Sequence, residues 1–264
     1  MRSGLDPVKN LQQASALAEQ AAVKGAKFIA TPEMTSLLDR KPRRLFEALP
    51  DGDNQDIINA YAALAKRLQV FFLLGSVPMV LTREPRRAAN RSFLFGPDGA
   101  CLARYDKIHM FDVDLPNGEQ WKESSIYQPG QETVCVETEL GMIGLSICYD
   151  LRFARLYRKL ARAGAEIFCV PSAFTVPTGK AHWEILLRAR AIETGAYVIA
   201  PAQGGAHEDG RTTYGHSMIV SPWGEVLAHL DDDEPGFCLA EIDLKTVHET
   251  RQQIPSLSYP DRIG

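Results

Sequence analysis

The sequence predicts an α/β domain built from mixed β-sheets covered by helices. Two observations carry that expectation. Apolar runs of strand length alternate with amphipathic runs of helix length along the chain, and hairpin signals centred on Gly and Pro interrupt the alternation. A purely parallel, doubly wound sheet would lack those hairpins. No linker rich in Pro, Gly or Ser and no internal repeat divides the chain, so residues 1–264 are expected to form one domain.

The elements follow in order. Asp6 and Pro7 form a capping signal, and Val8, Leu11, Ala14, Ala18 and Ala21 share one helical face up to the stop at Gly25. Lys27–Thr31 reads as a short buried strand. A helix from Asn54 to Leu68 leads into the apolar strand Val70–Val77. Arg91–Phe95 and Cys101–Tyr105 flank a turn at Pro97-Asp98-Gly99, and Thr133–Glu137 faces Met142–Cys148 across Gly141. The helix Arg152–Ala163 ends at Gly164 and precedes the strand Glu166–Ser172. Helix His182–Thr194 precedes strand Tyr197–Ala202, a hairpin turns at Ser221–Gly224, and Gly236–Asp243 reads as the final strand.

Composition narrows the function classes. Net charge is −4 with no long basic block, which argues against a nucleic-acid partner. The longest apolar stretch, Val70–Leu81, contains Gly75, Ser76 and Pro78 and is too short to span a membrane. No secretory leader is visible. The five cysteines form no C-x-x-C pair, so the expected home is a reducing cytoplasm. The six histidines lack metal-ligand spacing, and no metal site is expected.

Three residues stand out because each lies at or just beyond the carboxyl end of an expected strand, the rim where α/β folds place their chemistry. Cys148 ends the run MIGLSIC and precedes a helical turn containing Arg152. Free N–H groups at such a turn favour the thiolate, and the N–H of Tyr149 is placed to donate to an oxyanion beside the sulfur. A small buried hydrophobe suits the same spacing equally well. Glu33 follows KFIAT and Pro32 and is suited to act as general base; a solvated loop acid is the simpler reading of it alone. Lys107 follows CLARY and is suited to stabilise an oxyanion, against the plain reading of a surface lysine. A Cys–His arrangement using His109, His182 or His216 stays open on chemistry alone. There is no G-x-S-x-G elbow, phosphate loop or G-x-G-x-x-G.

At Thr31-Pro32-Glu33-Met34, Tyr105-Asp106-Lys107-Ile108-His109 and Ser146–Phe153 the sequence resembles the nitrilase superfamily of carbon–nitrogen hydrolases. The three segments occur in the family's order. The resemblance implies an αββα sandwich, a Glu–Lys–Cys triad at Glu33, Lys107 and Cys148, and thioester chemistry on a small linear amide with loss of ammonia. It implies no metal or organic cofactor, and a homodimer or larger homo-oligomer. Lys122–Ser125 matches a segment that often carries a second glutamate, making Glu123 the candidate partner of Lys107.

Phe174-Thr175, Thr178-Gly179, Ala181–Glu184, Arg188–Glu193, Ala202-Gln203, Tyr214–Ser217 and Pro222–Gly224 resemble the Nit-type amidases. Arg188–Glu193 and Tyr214–Ser217 are most similar to the branch acting on deaminated glutathione, with the ω-amidase branch acting on 2-oxoglutaramate as the alternative. Leu186, Leu187 and Ile192 read as helix core. Phe174, Thr175 and Thr178 fall on the same rim as the triad and suit substrate contact or structure. Arg152 suits a substrate carboxylate, or an ion pair with Asp150 or Glu184. Family members begin with an apolar strand that is not seen ahead of Pro7, so Lys27–Thr31 is expected to have an open edge or lack a neighbour. A non-catalytic binding protein on the same fold and a redox sensor at Cys148 are the rivals from other classes.

Overall fold

The computed structural model describes residues 1–49, 54–115 and 118–260. The expected domain span includes 261–264, which lie outside that range. The first helix, α1 (Pro7–Val23), starts where the cap predicts: the Asp6 carboxylate accepts from the N–H of Val8 at 2.9 Å and of Lys9 at 3.3 Å. Ala14, Ala18 and Ala21 are buried, whereas Val8, expected on that face, is exposed.

After β1 (Phe28–Ala30) come two helices, α2 (Pro42–Ala48), which the sequence pattern does not announce, and α3 (Gln55–Leu68). A long antiparallel hairpin follows, β2 (Phe71–Arg83) with β3 (Arg86–Phe95), and then β4 (Cys101–Asp106). β1 lies parallel to β2, completing a sheet of order β1-β2-β3-β4. The strand expected to end at Val77, ahead of Pro78, runs on instead. It continues because β1 pairs only with Phe71–Leu73, so at Pro78 the strand has one ladder neighbour and its missing N–H costs no bond.

A small pair, β5 (Asp112–Asp114) and β6 (Gln120–Lys122), precedes the second sheet. β7 (Cys135–Thr138) pairs antiparallel with β8 (Gly141–Leu145). Then follow α4 (Ala154–Arg162), β9 (Ile167–Cys169), α5 (Val176–Thr194) and β10 (Tyr197–Ala200). The pair β11 (Gly204–Ala206) and β12 (Thr212–Tyr214) leads to β13 (Met218–Val220) and β14 (Val226–His229), and α6 (Leu244–Gln253) is the last α-helix among the described residues. The second sheet has the order β14-β13-β10-β9-β8-β7, with the central three strands parallel and the outer ones antiparallel.

Strand period two decides the layering. Phe72, Leu74, Phe93 and Phe95 face one way and pack with Ala14, Ala18, Ile58, Tyr61 and Leu64 of α1 and α3. Leu73, Leu94 and Tyr105 face the other way and join Ile143, Leu145, Ile167 and Phe168 of the second sheet in one core, which continues to Leu160 and Leu187 of α4 and α5. The result is an αββα sandwich. Ile192, expected in that core, is half-exposed on α5.

One expected strand does not form. Residues 236–243 pair with no strand, because an alternating pattern supplies a buried face while a ladder also needs a neighbour's N–H and C=O groups. This segment, the open edge of β1, α1 and the ends of β9, β10 and β13 line a cavity of about 870 Å³.

Candidate active site

Glu33 sits on the loop leaving β1, held against β2 at a close backbone approach. A Cβ on Gly75 would lie 1.9 Å from the Thr31 carbonyl oxygen and 2.3 Å from that of Pro32, so only glycine permits the contact. The Gly75 N–H donates to Thr31 Oγ1 at 3.0 Å, Thr35 Oγ1 donates to the Pro32 carbonyl at 2.6 Å, and Gln203 Nε2 donates to the Glu33 carbonyl at 3.0 Å. The carboxylate itself is buried.

Lys107 follows β4, and its N–H donates to the Asn90 carbonyl at 2.9 Å. Its ammonium is 2% exposed and donates to Glu33 Oε1 and to both carboxylate oxygens of Glu123, each at 2.9 Å. Glu123 is fixed by the Phe111 N–H, 2.6 Å from Oε2. Burial opposes the charge on Lys107, but Glu123 and Glu33 outweigh it and hold the ammonium well above the ordinary lysine range. Burial raises the Glu123 carboxyl, and Lys107 works against that rise.

Cys148 follows β8 at a backbone φ of +50°, a left-handed conformation that costs energy for a residue with a Cβ. Tertiary contacts hold it there. Its N–H donates to the Pro171 carbonyl at 2.9 Å, and the Ile147 N–H donates to Asp150 Oδ2 at 2.9 Å. Fully buried Asp150 also accepts from Tyr105 Oη at 2.6 Å and from the His109 N–H at 3.0 Å, and His109 Nδ1 lies 2.6 Å from Oδ1.

Two expectations about Cys148 need correction. It opens a 3₁₀ turn, Cys148–Arg152, and the α-helix starts only at Ala154, so the expected helix from Arg152 does not begin under the thiol. Nor is the thiol acidified. Burial first and the Glu33 carboxylate second push it well above the ordinary cysteine range, while Lys107 and the Ala173 N–H pull the other way. The resting group is a thiol. Glu33 is near enough to accept its hydrogen bond.

Glu33, Lys107, Glu123 and Cys148 all line one cavity of about 400 Å³, together with Tyr149, Arg152, Phe174, Thr175 and Thr178. These nine candidates from the sequence therefore reach the same space, and the three candidate histidines do not. Tyr149 occupies the second position of the turn, where a backbone N–H has no acceptor within the turn. Thr175 Oγ1 and Thr178 Oγ1 are 2.8 Å apart, and Phe174 packs on Trp183. Arg152 pairs with neither Asp150 nor Glu184. Asp150 is taken up as described, and Glu184 bonds Arg188. The Arg152 guanidinium instead lies over the Tyr149 and Phe174 rings and 3.2 Å from His182 Nδ1.

None of the three histidines considered as partners for Cys148 reaches the cavity wall: His109 is held by Asp150, His182 by Arg152, and His216 Nδ1 lies 2.6 Å from the Tyr214 carbonyl. Sequence reasoning missed Asn90, whose Nδ2 donates to Glu33 Oε1 at 2.8 Å and reaches Glu123 Oε1 at 3.4 Å. Asn90 falls just ahead of the expected strand Arg91–Phe95; the strand in fact spans Arg86–Phe95 and buries the amide, where a polar group must find a partner. Trp121 and Arg211 in the cavity wall were also missed; no sequence pattern announces the hairpins that carry them.

Comparison with known proteins gives the family and the fold. The carbon–nitrogen hydrolase family profile matches residues 1–252. The chain is 42% identical over 261 residues to a deaminated glutathione amidase from Synechocystis sp., covering 98% of this chain and 95% of that one. Among solved structures, the C. elegans NitFhit protein superposes with a TM-score of 0.90 at 36% identity, covering 99% of this chain and 63% of that longer one. Nit3 of Saccharomyces cerevisiae, a member of the nitrilase superfamily, superposes with a TM-score of 0.86 at 27% identity, covering 99% and 93%. The chain belongs to the carbon–nitrogen hydrolase family.

Proposed function

We propose that this amidase cleaves deaminated glutathione through a thioester on Cys148, with Glu33 as base and acid and Lys107 as oxyanion partner. The observation that carries the reading is the Lys107 ammonium locked 2.9 Å from both Glu33 and Glu123 in the cavity that holds the thiol. Glu33 takes the thiol proton as sulfur bonds the amide carbon, and the carbonyl π electrons move to oxygen. Lys107 and the Tyr149 N–H stabilise that oxyanion. As the tetrahedral adduct collapses, the C–N bond breaks and Glu33 returns the proton to nitrogen. A water then loses a proton to Glu33, adds to the thioester carbon and releases the acid, and the proton returns to sulfur. Glu123 and Asn90 hold Lys107 and Glu33 in register throughout.

The substrate assignment rests on the curated relatives named for that activity and on the cationic Arg152, which suits the 2-oxo acid carboxylate. Deaminated glutathione is an N-substituted amide, so its leaving group is a dipeptide amine. The ammonia expected from the sequence belongs to primary amides such as 2-oxoglutaramate, the alternative substrate. Both compounds yield 2-oxoglutarate, which gives one readout for both. A higher kcat/KM for deaminated glutathione supports the assignment, and the reverse ranking moves the protein to the ω-amidase activity.

The same reading has the chain in the cytoplasm as a homodimer or larger homo-oligomer. Five free cysteines fit a reducing compartment, and among the described residues no helix is long and apolar enough to cross a membrane. Ile185 and Ile192 of α5 and Trp223 beside it are exposed apolar groups that suit a subunit contact. Light scattering after size exclusion tests the assembly, and a monomer overturns it.

A further inference from the structure

Arg211 lies in the catalytic cavity but has no part in the chemistry above. It immediately precedes β12, in the turn of the β11–β12 hairpin, and lines the same cavity as Arg152. Its side chain is 16% exposed and anchored at one end only. Nε donates to Asp209 Oδ2 at 2.6 Å, and Asp209 is itself fully buried and accepts from the Arg40 and Arg211 N–H groups at 2.9 and 3.0 Å. The guanidinium sits 5.3 Å over the Trp121 ring, which keeps it from swinging away. No hydrogen bond within the described residues uses its terminal amino groups, and the residue lines the cavity. A guanidinium held this way offers a fixed two-pronged donor to a carboxylate, with little side-chain entropy left to lose.

The surrounding charge fits an anion. Arg40, Lys122 and Arg152 also line the cavity, while the Asp39 carboxylate is engaged by Arg44 and Glu119 accepts from Trp121 Nε1 at 3.2 Å. Arg152 and Arg211 thus supply two separate cationic anchors in one cavity. 2-Oxoglutaramate has a single carboxylate. Deaminated glutathione has two, one on each side of the scissile amide. We infer that Arg211, stacked on Trp121, binds the carboxylate of the amine half of the substrate and so selects N-substituted amides that carry a second negative charge. This rests on the substrate reading above.

The experiment compares deaminated glutathione with its analogue in which the amine half ends in a carboxamide. Both are assayed by 2-oxoglutarate release in the unsubstituted enzyme and in Arg211→Met, which keeps the bulk of the stem without the charge. Their dissociation constants are also measured on Cys148→Ala and Cys148→Ala/Arg211→Met proteins, which bind without turnover. The expected preference for the free acid is about ten- to hundredfold in KM with Arg211 present, the range for a charged hydrogen bond. The preference should fall toward onefold in Arg211→Met and recover in part in Arg211→Lys. General damage to the site would weaken both compounds alike and leave the ratio intact. An unchanged ratio in Arg211→Met overturns the inference, as does failure of both compounds to bind the Cys148→Ala protein. Binding with the expected ratio but no hydrolysis by the unsubstituted enzyme overturns the activity reading and leaves the Arg211 assignment standing.

Discussion

Lys107 Nζ is 2.9 Å from each carboxylate oxygen of Glu123, so the second glutamate grips the ammonium with both atoms while Glu33 touches it with one. Glu123 is itself set by the Phe111 N–H. Division of labour follows from this. In the proposed mechanism Glu123 keeps Lys107 charged and in place while Glu33 changes protonation. Lys107→Met is expected to lose kcat by about 10²–10³-fold, the scale of one oxyanion donor. Glu123→Gln should lower kcat by less, with KM nearly steady, because the amide still presents one acceptor. Steady-state kinetics on the two variants checks the order, and equal losses would remove the distinction.

The direction of the Cys148 shift gives a pH prediction. Because burial and Glu33 raise the thiol, the protonated form dominates through the ordinary thiol range. Replacing Glu33 by Gln removes a negative charge and leaves Lys107 positive, so the thiol pKa must fall even as turnover collapses. Ultraviolet thiolate absorbance against pH should therefore rise earlier in Glu33→Gln than in the unsubstituted protein. A later rise would mean that Glu33 does not act on the thiol.

Asn90 bridges Glu33 and Glu123 from β3. Asn90→Ala removes a buried donor to a carboxylate, an interaction of about 1.5–3 kcal/mol. The expected result is a loss of about ten- to hundredfold in kcat with a smaller change in KM. A loss confined to thermal stability, with kcat intact, would make Asn90 structural only.

Gly75 is the pivot that lets the Glu33 loop lie on β2. Gly75→Ala puts a methyl 1.9 Å from a backbone oxygen that has no room to retreat. Overpacking of this kind costs about 1–3 kcal/mol or more, and it should displace Glu33 as well. Urea unfolding and kcat are expected to fall together, and an unchanged midpoint would show that the loop can move.

The cavity beside β1 makes the last prediction. A short apolar, β-branched-rich segment placed ahead of Met1 has an open strand edge and about 870 Å³ to enter. With the amine at Met1, burial and then Arg2 lower its pKa from 8.0 to about 6. Between those values the unfolded chain binds the proton more readily, so stability falls as pH drops from 8.0 toward 6. The extended chain has an amide there. It should lose that pH dependence and melt several degrees higher, at roughly 2–4 °C per kcal/mol gained. Equal melting curves for the two chains at both pH values would show that the cavity does not accept a strand.

What the sequence by itself determined is local or repeats at short range. The cap at Asp6, the period-two faces of Phe71–Val77 and Arg91–Phe95, and the turn at Pro97–Gly99 are written in neighbouring residues. So is the placement of Glu33, Lys107 and Cys148 at strand ends, because an apolar run that stops marks a sheet rim. Tertiary structure decided what depends on residues distant in the chain. Residues 236–243 had the pattern of a strand and lacked a partner, while the β11–β12 pair formed from Gly- and Thr-rich pieces that showed no pattern. The upward shift of the thiol comes from burial and from Glu33, far away in sequence but adjacent in space, which outweigh Lys107 and the Ala173 N–H. Asn90 and Arg211 owe their roles to carboxylates and aromatic rings brought up by other loops. Charge and hydrogen bonding act through space at a few ångströms, and only the folded chain fixes which groups share that distance.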